Sequence, residues 1–276
     1  MRLVESSGGV TIPVHDLGGS GPPLLLCHAT GFHGLVWGPF AGLLAERFRV
    51  WSLDFRGHGD AGPPPALPLD WRGVGDDVLA VVDELGLERP FGFGHSMGGA
   101  ALLLAEASRP GTFGALVCFE PIVFPMEGPP GGRGDLAAGA RRRRADFASR
   151  DEAFANFASK PPLSSFAPEA LRAYVDHGLA DRPGGGVTLK CRPEVEAATY
   201  EGAPAHPGWS RLPEVRCPTT VMTGETTDAV GGELARLQAG RLPEGRVEVL
   251  PGVGHFGPME DPPLVARAVE AALLDG

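Results

Sequence analysis

The 276-residue sequence lacks any apolar stretch near the roughly 18 residues that a membrane-spanning helix requires. Its first residues also lack the charged and then apolar segments of a secretion signal. We therefore expect no membrane span, no secretion and a cytoplasmic location. The cysteines are few, far apart and without CxxC spacing, which predicts buried free thiols rather than disulfides or a metal site. They are Cys27, Cys118, Cys191 and Cys217.

Positive charge is scarce as well, since 24 Lys and Arg residues face 34 Asp and Glu residues, for a formal net charge of -10. Such a charge repels phosphate backbones and anionic lipids, so we expect neither nucleic acid nor membranes as partners. The one basic run, Arg141 to Arg144, has acidic neighbours and is typical of a solvated helix face. The expected partner is therefore a small-molecule substrate, and the protein is expected to be a monomer or a homodimer.

Glycine and proline are abundant, with 41 and 28 residues, and they separate apolar runs from helical patterns. This alternation predicts an α/β fold with a mostly parallel sheet covered by helices. The first two strands are expected to form a hairpin. The predicted strands are 2–6, 10–16, 22–28, 49–54, 90–96, 115–121, 217–224 and 246–250, and the predicted helices are 36–47, 71–86, 97–110, 230–241 and 261–274.

The strand–helix alternation breaks between Pro121 and Cys217. We predict a core formed by 1–121 and 213–276, with a helical cap inserted over 122–212. Open α/β sheets bind ligands at the carboxyl ends of their strands, and the aromatic residues of the cap could cover that edge as an apolar pocket wall. The helices predicted within the cap are 135–149, 151–159, 168–178 and 193–200.

The segment Gly94-His95-Ser96-Met97-Gly98 fits G-x-S-x-G, between a predicted strand and a long predicted helix. This pattern places a serine on a sharp turn with its hydroxyl exposed above the sheet, and glycine avoids side-chain collisions on either side. It predicts Ser96 as a nucleophile. One oxyanion-binding N–H is expected from Met97, and a second from the loop at 28–32, which follows a predicted strand.

A nucleophilic serine needs a base, and His255 lies between the last predicted strand and helix, at the same sheet edge. Two carboxylates qualify as the acid that orients the imidazole. Asp228, after the strand at 217–224, is favoured because it gives the chain order Ser…Asp…His. Glu120, at the end of the preceding strand, is the alternative. His28 and His95 are expected to support the site by hydrogen bonds.

The segments HATGF, LDFRGHGDA, GHSMGG, TGETTD and GVGHFGPMEDP resemble the α/β-hydrolase superfamily, in the branch of carboxylesterases, cofactor-free haloperoxidases and meta-cleavage C–C hydrolases. The resemblance implies an eight-stranded sheet, a triad of Ser96, an acid and His255, and oxyanion amides from Thr30 and Met97. Many relatives carry their acid where this chain has Thr227, one residue before Asp228. A serine nucleophile argues against the epoxide hydrolase and haloalkane dehalogenase relatives, which use aspartate.

The leading hypothesis is hydrolysis of a carboxylic ester, lactone or thioester of a small, largely apolar substrate through a Ser96 acyl-enzyme, without cofactor or metal. The alternative is C–C bond hydrolysis of a vinylogous diketone acid, whose carboxylate would need a basic anchor in the cap. A third hypothesis is a non-catalytic ligand receptor of the same fold. The candidate anchors are Arg141, Arg142, Arg143, Arg144, Arg150, Lys160, Arg172, Arg182 and Lys190.

Overall fold

A computed structural model describes residues 1–125 and 136–274. Residues 126–135 of the predicted cap and residues 275–276 of the predicted core lie outside this description. The strands are β1 (Arg2–Ser6), β2 (Val10–Gly19), β3 (Pro23–Cys27), β4 (Arg49–Leu53), β5 (Phe91–His95), β6 (Ala115–Phe119), β7 (Asp146–Phe147), β8 (Leu179–Asp181), β9 (Val187–Leu189), β10 (Thr219–Gly224) and β11 (Gly245–Leu250). The helices are α1 (Gly38–Leu44), α2 (Trp71–Glu84), α3 (Met97–Ser108), α4 (Leu136–Arg141), α5 (Arg150–Ala158), α6 (Pro168–Gly178), α7 (Pro193–Gly202), α8 (Gly208–Arg211), α9 (Gly232–Ala239), α10 (Gly257–Glu260) and α11 (Pro262–Leu274).

Eight strands form the main sheet, in the order β1-β2-β4-β3-β5-β6-β10-β11. The strand β2 pairs antiparallel with β1 and β4, and the remaining neighbours pair in parallel. The predicted α/β-hydrolase sheet of eight mostly parallel strands is therefore confirmed, including the opening hairpin.

Apolar side chains cover both faces of this sheet. Along β3, Leu24 and Leu26 pack into one buried cluster and Leu25 into another, because successive side chains on a strand point to opposite faces. The segment β5 forms a strand although glycine has a low strand propensity. A Cβ at Gly92 would lie 2.7 Å from the Leu116 side chain. The neighbouring strand thus packs closely against this glycine, and a side chain there would displace the flexible end of Leu116.

The segment between β6 and β10 contains α4 to α8 and a second sheet that the sequence analysis did not predict. This sheet is antiparallel with the order β7-β9-β8. The helix expected over 135–149 ends at Arg141, and the chain then enters β7. Strands of two or three residues are too short to show an alternating pattern, which is why the sequence suggested helices alone.

Two further observations concern the whole described chain. All four cysteines are free and buried, as expected from their spacing. None of the helices within 1–125 and 136–274 combines the length and apolarity needed to cross a membrane.

Candidate active site

Ser96 lies on the turn between β5 and α3 in a conformation that is rare for a residue with a side chain, with φ of 56° and ψ of -112°. The neighbouring strand holds this turn, because the Ser96 N–H donates to the Phe119 carbonyl at 2.9 Å and the Ile122 N–H donates to the Ser96 carbonyl at 3.2 Å. A strained backbone that its surroundings hold in place is typical of a functional residue. The structure thus places Ser96 at the carboxyl edge of the sheet, where the sequence predicted it.

The two glycines of the G-x-S-x-G segment are required by close packing. A Cβ at Gly98 would lie 2.1 Å from the Cys27 carbonyl oxygen at the end of β3. A Cβ at Gly94 would lie 2.5 Å from the backbone of Gly98 across the turn. Both contacts are too short for any side chain, so only glycine fits at these two positions.

His255 follows β11, and its Nδ1 atom lies 2.7 Å from Oε2 of Glu120. Glu120 follows β6 directly, has a φ of 47° and is 0% exposed. Because an ionised carboxylate only accepts hydrogen bonds, Nδ1 of His255 carries the proton, which leaves Nε2 free to accept one. The imidazole is therefore held in the tautomer that a general base requires.

Residues of the β10 loop donate further hydrogen bonds to the Glu120 carboxylate. The Gly224 N–H donates at 3.0 Å, the Thr227 hydroxyl at 2.8 Å and the Val230 N–H at 3.2 Å. Burial by itself would raise the pKa of Glu120, but His255 and these donors outweigh it and hold the pKa below the usual 4.5. Glu120 is consequently a buried anion at neutral pH.

The structure differs here from the preferred expectation, because the carboxylate that contacts His255 belongs to Glu120 and not to Asp228. The side chain of Thr227 turns inward to Glu120, and its hydroxyl also accepts from the Ala229 N–H at 3.0 Å. Asp228, the next residue, is exposed. Adjacent side chains in this loop diverge, so the inward direction of Thr227 directs Asp228 to solvent.

The two candidate oxyanion residues lie side by side. Met97 is the first residue of α3, so its N–H belongs to the helical turn that has no internal acceptor. The Thr30 hydroxyl lies 3.5 Å from the sulfur of Met97. The Thr30 hydroxyl thus contacts the side chain of Met97 beside the nucleophile turn, where the resemblance implied an oxyanion hole.

His28 orients the peptide that carries the Thr30 N–H. Its Nδ1 donates to the Ala29 carbonyl at 2.8 Å, and its Nε2 accepts from the Phe55 N–H at 3.1 Å. Since the peptide bond is planar, holding the Ala29 carbonyl also sets the direction of the Thr30 N–H. Burial lowers the pKa of His28 to about 3, so it remains neutral and keeps both hydrogen bonds.

His95 supports the base through its backbone. Its Nε2 lies 2.8 Å from the His255 carbonyl oxygen, to which it donates. Burial lowers the pKa of His95 well below 6.5, so it too is neutral. His28 and His95 therefore act on the candidate oxyanion loop and on the base, respectively, consistent with the support expected of them.

A comparison with known proteins gives the family. Residues 24–268 match the alpha/beta hydrolase family. The chain belongs to this family. A Bacillus subtilis (strain 168) relative, which bears the provisional name 2-succinyl-6-hydroxy-2,4-cyclohexadiene-1-carboxylate synthase, is 27% identical and aligns over 98% of this chain and 97% of its own. The match to the pimeloyl-[acyl-carrier protein] methyl ester esterase of Methylococcus capsulatus is 35% identical and covers 42% of this chain and 44% of that protein.

The curated relatives that match at 35% to 37% identity do so over only part of their length, since the chain spans between 25% and 44% of them. Among solved structures, E-2-(acetamidomethylene)succinate hydrolase superposes with a TM-score of 0.83 at 22% identity, covering 100% of this chain and 98% of that one. At this identity the likeness establishes the shared fold.

Aromatic rings surround the base in this alpha/beta hydrolase. Phe32 of the candidate oxyanion loop stacks on Phe256, the residue after His255, with ring centroids 6.0 Å apart. Phe166 from the cap segment lies 6.0 Å from Phe32 and 5.5 Å from Phe256. The sequence analysis did not single out Phe32 or Phe256, although each follows a candidate site residue closely. The segment between β6 and β10 thus contributes Phe166 to an apolar cluster beside His255.

Most of the candidate cationic anchors of this alpha/beta hydrolase are paired with carboxylates. Seven of the nine candidate anchors form ion pairs with carboxylates, and among the described residues Arg142 and Lys160 do not. Both of these side chains are exposed. Within the described residues, no group of three or more His, Cys, Asp or Glu side chains is arranged to hold a metal ion.

Proposed function

We propose that this alpha/beta hydrolase cleaves a carboxylic ester, lactone or thioester of a small, largely apolar substrate through an acyl-enzyme on Ser96. The observation on which the proposal depends is the 2.7 Å contact between Glu120 and Nδ1 of His255, beside the strained turn of Ser96. In this assignment Ser96 is the nucleophile, His255 the general base and Glu120 the acid.

The reaction follows from these roles. The Ser96 hydroxyl oxygen attacks the carbonyl carbon while Nε2 of His255 accepts its proton, and the carbonyl oxygen becomes an oxyanion near the N–H groups of Thr30 and Met97. Glu120 stabilises the resulting imidazolium. The carbon–oxygen bond to the leaving alcohol then breaks, and the alcohol takes the proton from Nε2. A water molecule repeats the sequence on the acyl-enzyme and releases the acid.

The surroundings of the site favour an apolar acyl group. Phe32, Phe166 and Phe256 form the aromatic cluster beside His255. Among the described residues, seven of the nine candidate anchors are paired with carboxylates and therefore offer less positive charge to a substrate carboxylate. This distribution favours a neutral ester over a diketone acid.

The test combines active-site labelling with turnover. A fluorophosphonate probe should label Ser96, and Ser96→Ala should abolish labelling and lower kcat on an activated aryl ester by roughly 10⁴- to 10⁶-fold. Ser210→Ala, which changes an exposed serine hydroxyl, is the matched control and should leave both unchanged. Labelling or turnover that survives in folded Ser96→Ala would refute the assignment.

The same preparation distinguishes the other hypotheses. Wild-type protein that accepts no probe would indicate a non-catalytic receptor. A dienoic diketone acid turned over faster than every ester in a panel of acyl chain lengths would instead indicate C–C bond hydrolysis.

A further inference from the structure

Three side chains of the cap segment converge on Gly31, the residue that follows Thr30. Nη1 of Arg143 donates to Oε2 of Glu196 at 2.6 Å, and Nη2 of Arg143 donates to the Tyr174 hydroxyl at 2.7 Å. The Tyr174 hydroxyl in turn lies 3.4 Å from the Gly31 carbonyl oxygen, to which it donates. These three residues, termed the cap clamp, come from the chain after α4, from α6 and from α7.

The cap clamp also lies close to the α-carbon of Gly31. Gly31 has a φ of 81°, and a Cβ there would lie 2.7 Å from Oε1 of Glu196 and 3.4 Å from Nη1 of Arg143. The position therefore excludes a side chain both by backbone conformation and by contact with the clamp. The carboxylate of Glu196 accordingly packs directly against the candidate oxyanion loop.

Burial makes the cap clamp different from an ordinary surface pair. The side chains of Glu196 and Arg143 are 6% and 22% exposed, and burial raises the pKa of the Tyr174 hydroxyl so that it keeps its proton. A second pair between the same parts of the cap, Arg141 with Glu201, also has a 2.6 Å contact but is 48% and 41% exposed. Exposed pairs contribute little, whereas a buried pair that loses one partner leaves an uncompensated charge.

We propose that the cap clamp positions the oxyanion hole. In this proposal the Thr30 N–H points at the oxyanion only when the cap packs against the core. This inference rests on the proposed function, in which Thr30 binds the oxyanion. His28 holds the Ala29 carbonyl on one side of the Thr30 amide, and the cap clamp holds Gly31 on the other. Arg143, Tyr174 and Glu196 touch no reacting atom in this proposal, and they act through the loop.

The decisive experiment compares Tyr174→Phe and Glu196→Gln with Glu201→Gln, which removes the exposed pair of the same two elements. Removal of an oxyanion donor costs about 10²- to 10³-fold in kcat, so a misaimed donor should cost roughly 10- to 100-fold, with KM changed by about twofold or less. Both clamp variants should also bind an aryl trifluoromethyl ketone more weakly by a similar factor, since that inhibitor forms an oxyanion on the enzyme. Glu201→Gln should match the wild type in all three measurements.

Clamp variants that match Glu201→Gln in kcat and ketone affinity would overturn the inference, as would a loss confined to KM. If Glu196→Gln does not fold, Arg143→Met combined with Glu196→Leu replaces the buried charges by apolar groups and should show the same loss of kcat. Full activity in that double variant would likewise overturn it. Failure of the proposed function is recognised separately, because folded Ser96→Ala would then retain turnover.

Discussion

The loops after β6 and after β10 both reach the edge of the sheet next to His255, but they contribute opposite halves of one interaction. The loop after β6 supplies an acceptor, Glu120, immediately at the strand end. The loop after β10 supplies donors from Gly224, Thr227 and Val230, while its own carboxylate, Asp228, is exposed. Converging donors, rather than chain order, therefore determine which carboxylate contacts the imidazole.

The difference between the two loops is tested most directly by neutralising each carboxylate in turn. Glu120→Gln should lower kcat on an activated ester by about 10⁴-fold, because an amide at this place stabilises the wrong imidazole tautomer and no imidazolium. Asp228→Asn should change kcat by about twofold or less, since an exposed group is screened by solvent. Steady-state kinetics on both variants provides the measurement, with circular dichroism as the check on folding. The reverse ranking would return the role of the acid to Asp228.

Changing a residue that donates a hydrogen bond to Glu120 should have a smaller effect than changing Glu120 itself. Thr227→Val removes the 2.8 Å hydrogen bond to Oε2 of Glu120 while keeping the shape of the side chain. A hydrogen bond to a charged group contributes about 1.5–3 kcal/mol, so the free energy of unfolding in urea should fall by about that amount at pH 7. Thr226→Val, at the exposed neighbouring position, is the control and should be neutral. Equal losses in the two variants would show that the loop, not the hydrogen bond, is responsible.

The smallest expected effect is the pH dependence of stability. Because the pKa of Glu120 is lower in the folded protein than the usual 4.5, its contribution is fully present above pH 4.5 and is lost as pH falls through the folded pKa. The difference in unfolding free energy between the wild type and Glu120→Gln should therefore stay constant above pH 4.5 and shrink as the pH falls below 4.5. Urea unfolding at several pH values measures this difference. A curve for Glu120→Gln that runs parallel to that of the wild type would contradict the lowered pKa of Glu120.

Much of this arrangement could be predicted from the sequence. The eight strands follow from apolar runs, and the place of Ser96 between a strand and a helix follows from its flanking glycines. The position of His255 after the last strand brings it to the same edge. These features depend on the local sequence pattern and on the rule that the carboxyl ends of parallel strands lie at the same edge of a sheet. Both can be applied to a sequence without a structure.

The remainder depends on side-chain direction and on contacts between distant residues. The positive φ of Glu120 and the inward turn of Thr227 have no signature in composition or spacing. The pattern of Arg141 to Arg144 predicts a solvated helix face, yet the helix ends at Arg141 and the side chain of Arg143 is half-buried against Glu196. Its partners Tyr174 and Glu196 lie 31 and 53 residues further along the chain, so the local sequence does not distinguish Arg143 from its neighbours.

The strand order has a consequence for the accuracy with which the triad is assembled. Adjacent strands lie about 4.8 Å apart and rotate by roughly 20–25° relative to each other, so positional error accumulates with every strand that separates two groups. In the order β5-β6-β10, Glu120 is one strand away from Ser96, whereas an acid after β10 would be two strands away. The alignment of nucleophile and acid therefore depends on a single interval of the sheet. The spacing between β5 and β6 is fixed by main-chain hydrogen bonds. It should therefore stay the same when the sequences of the flanking helices change.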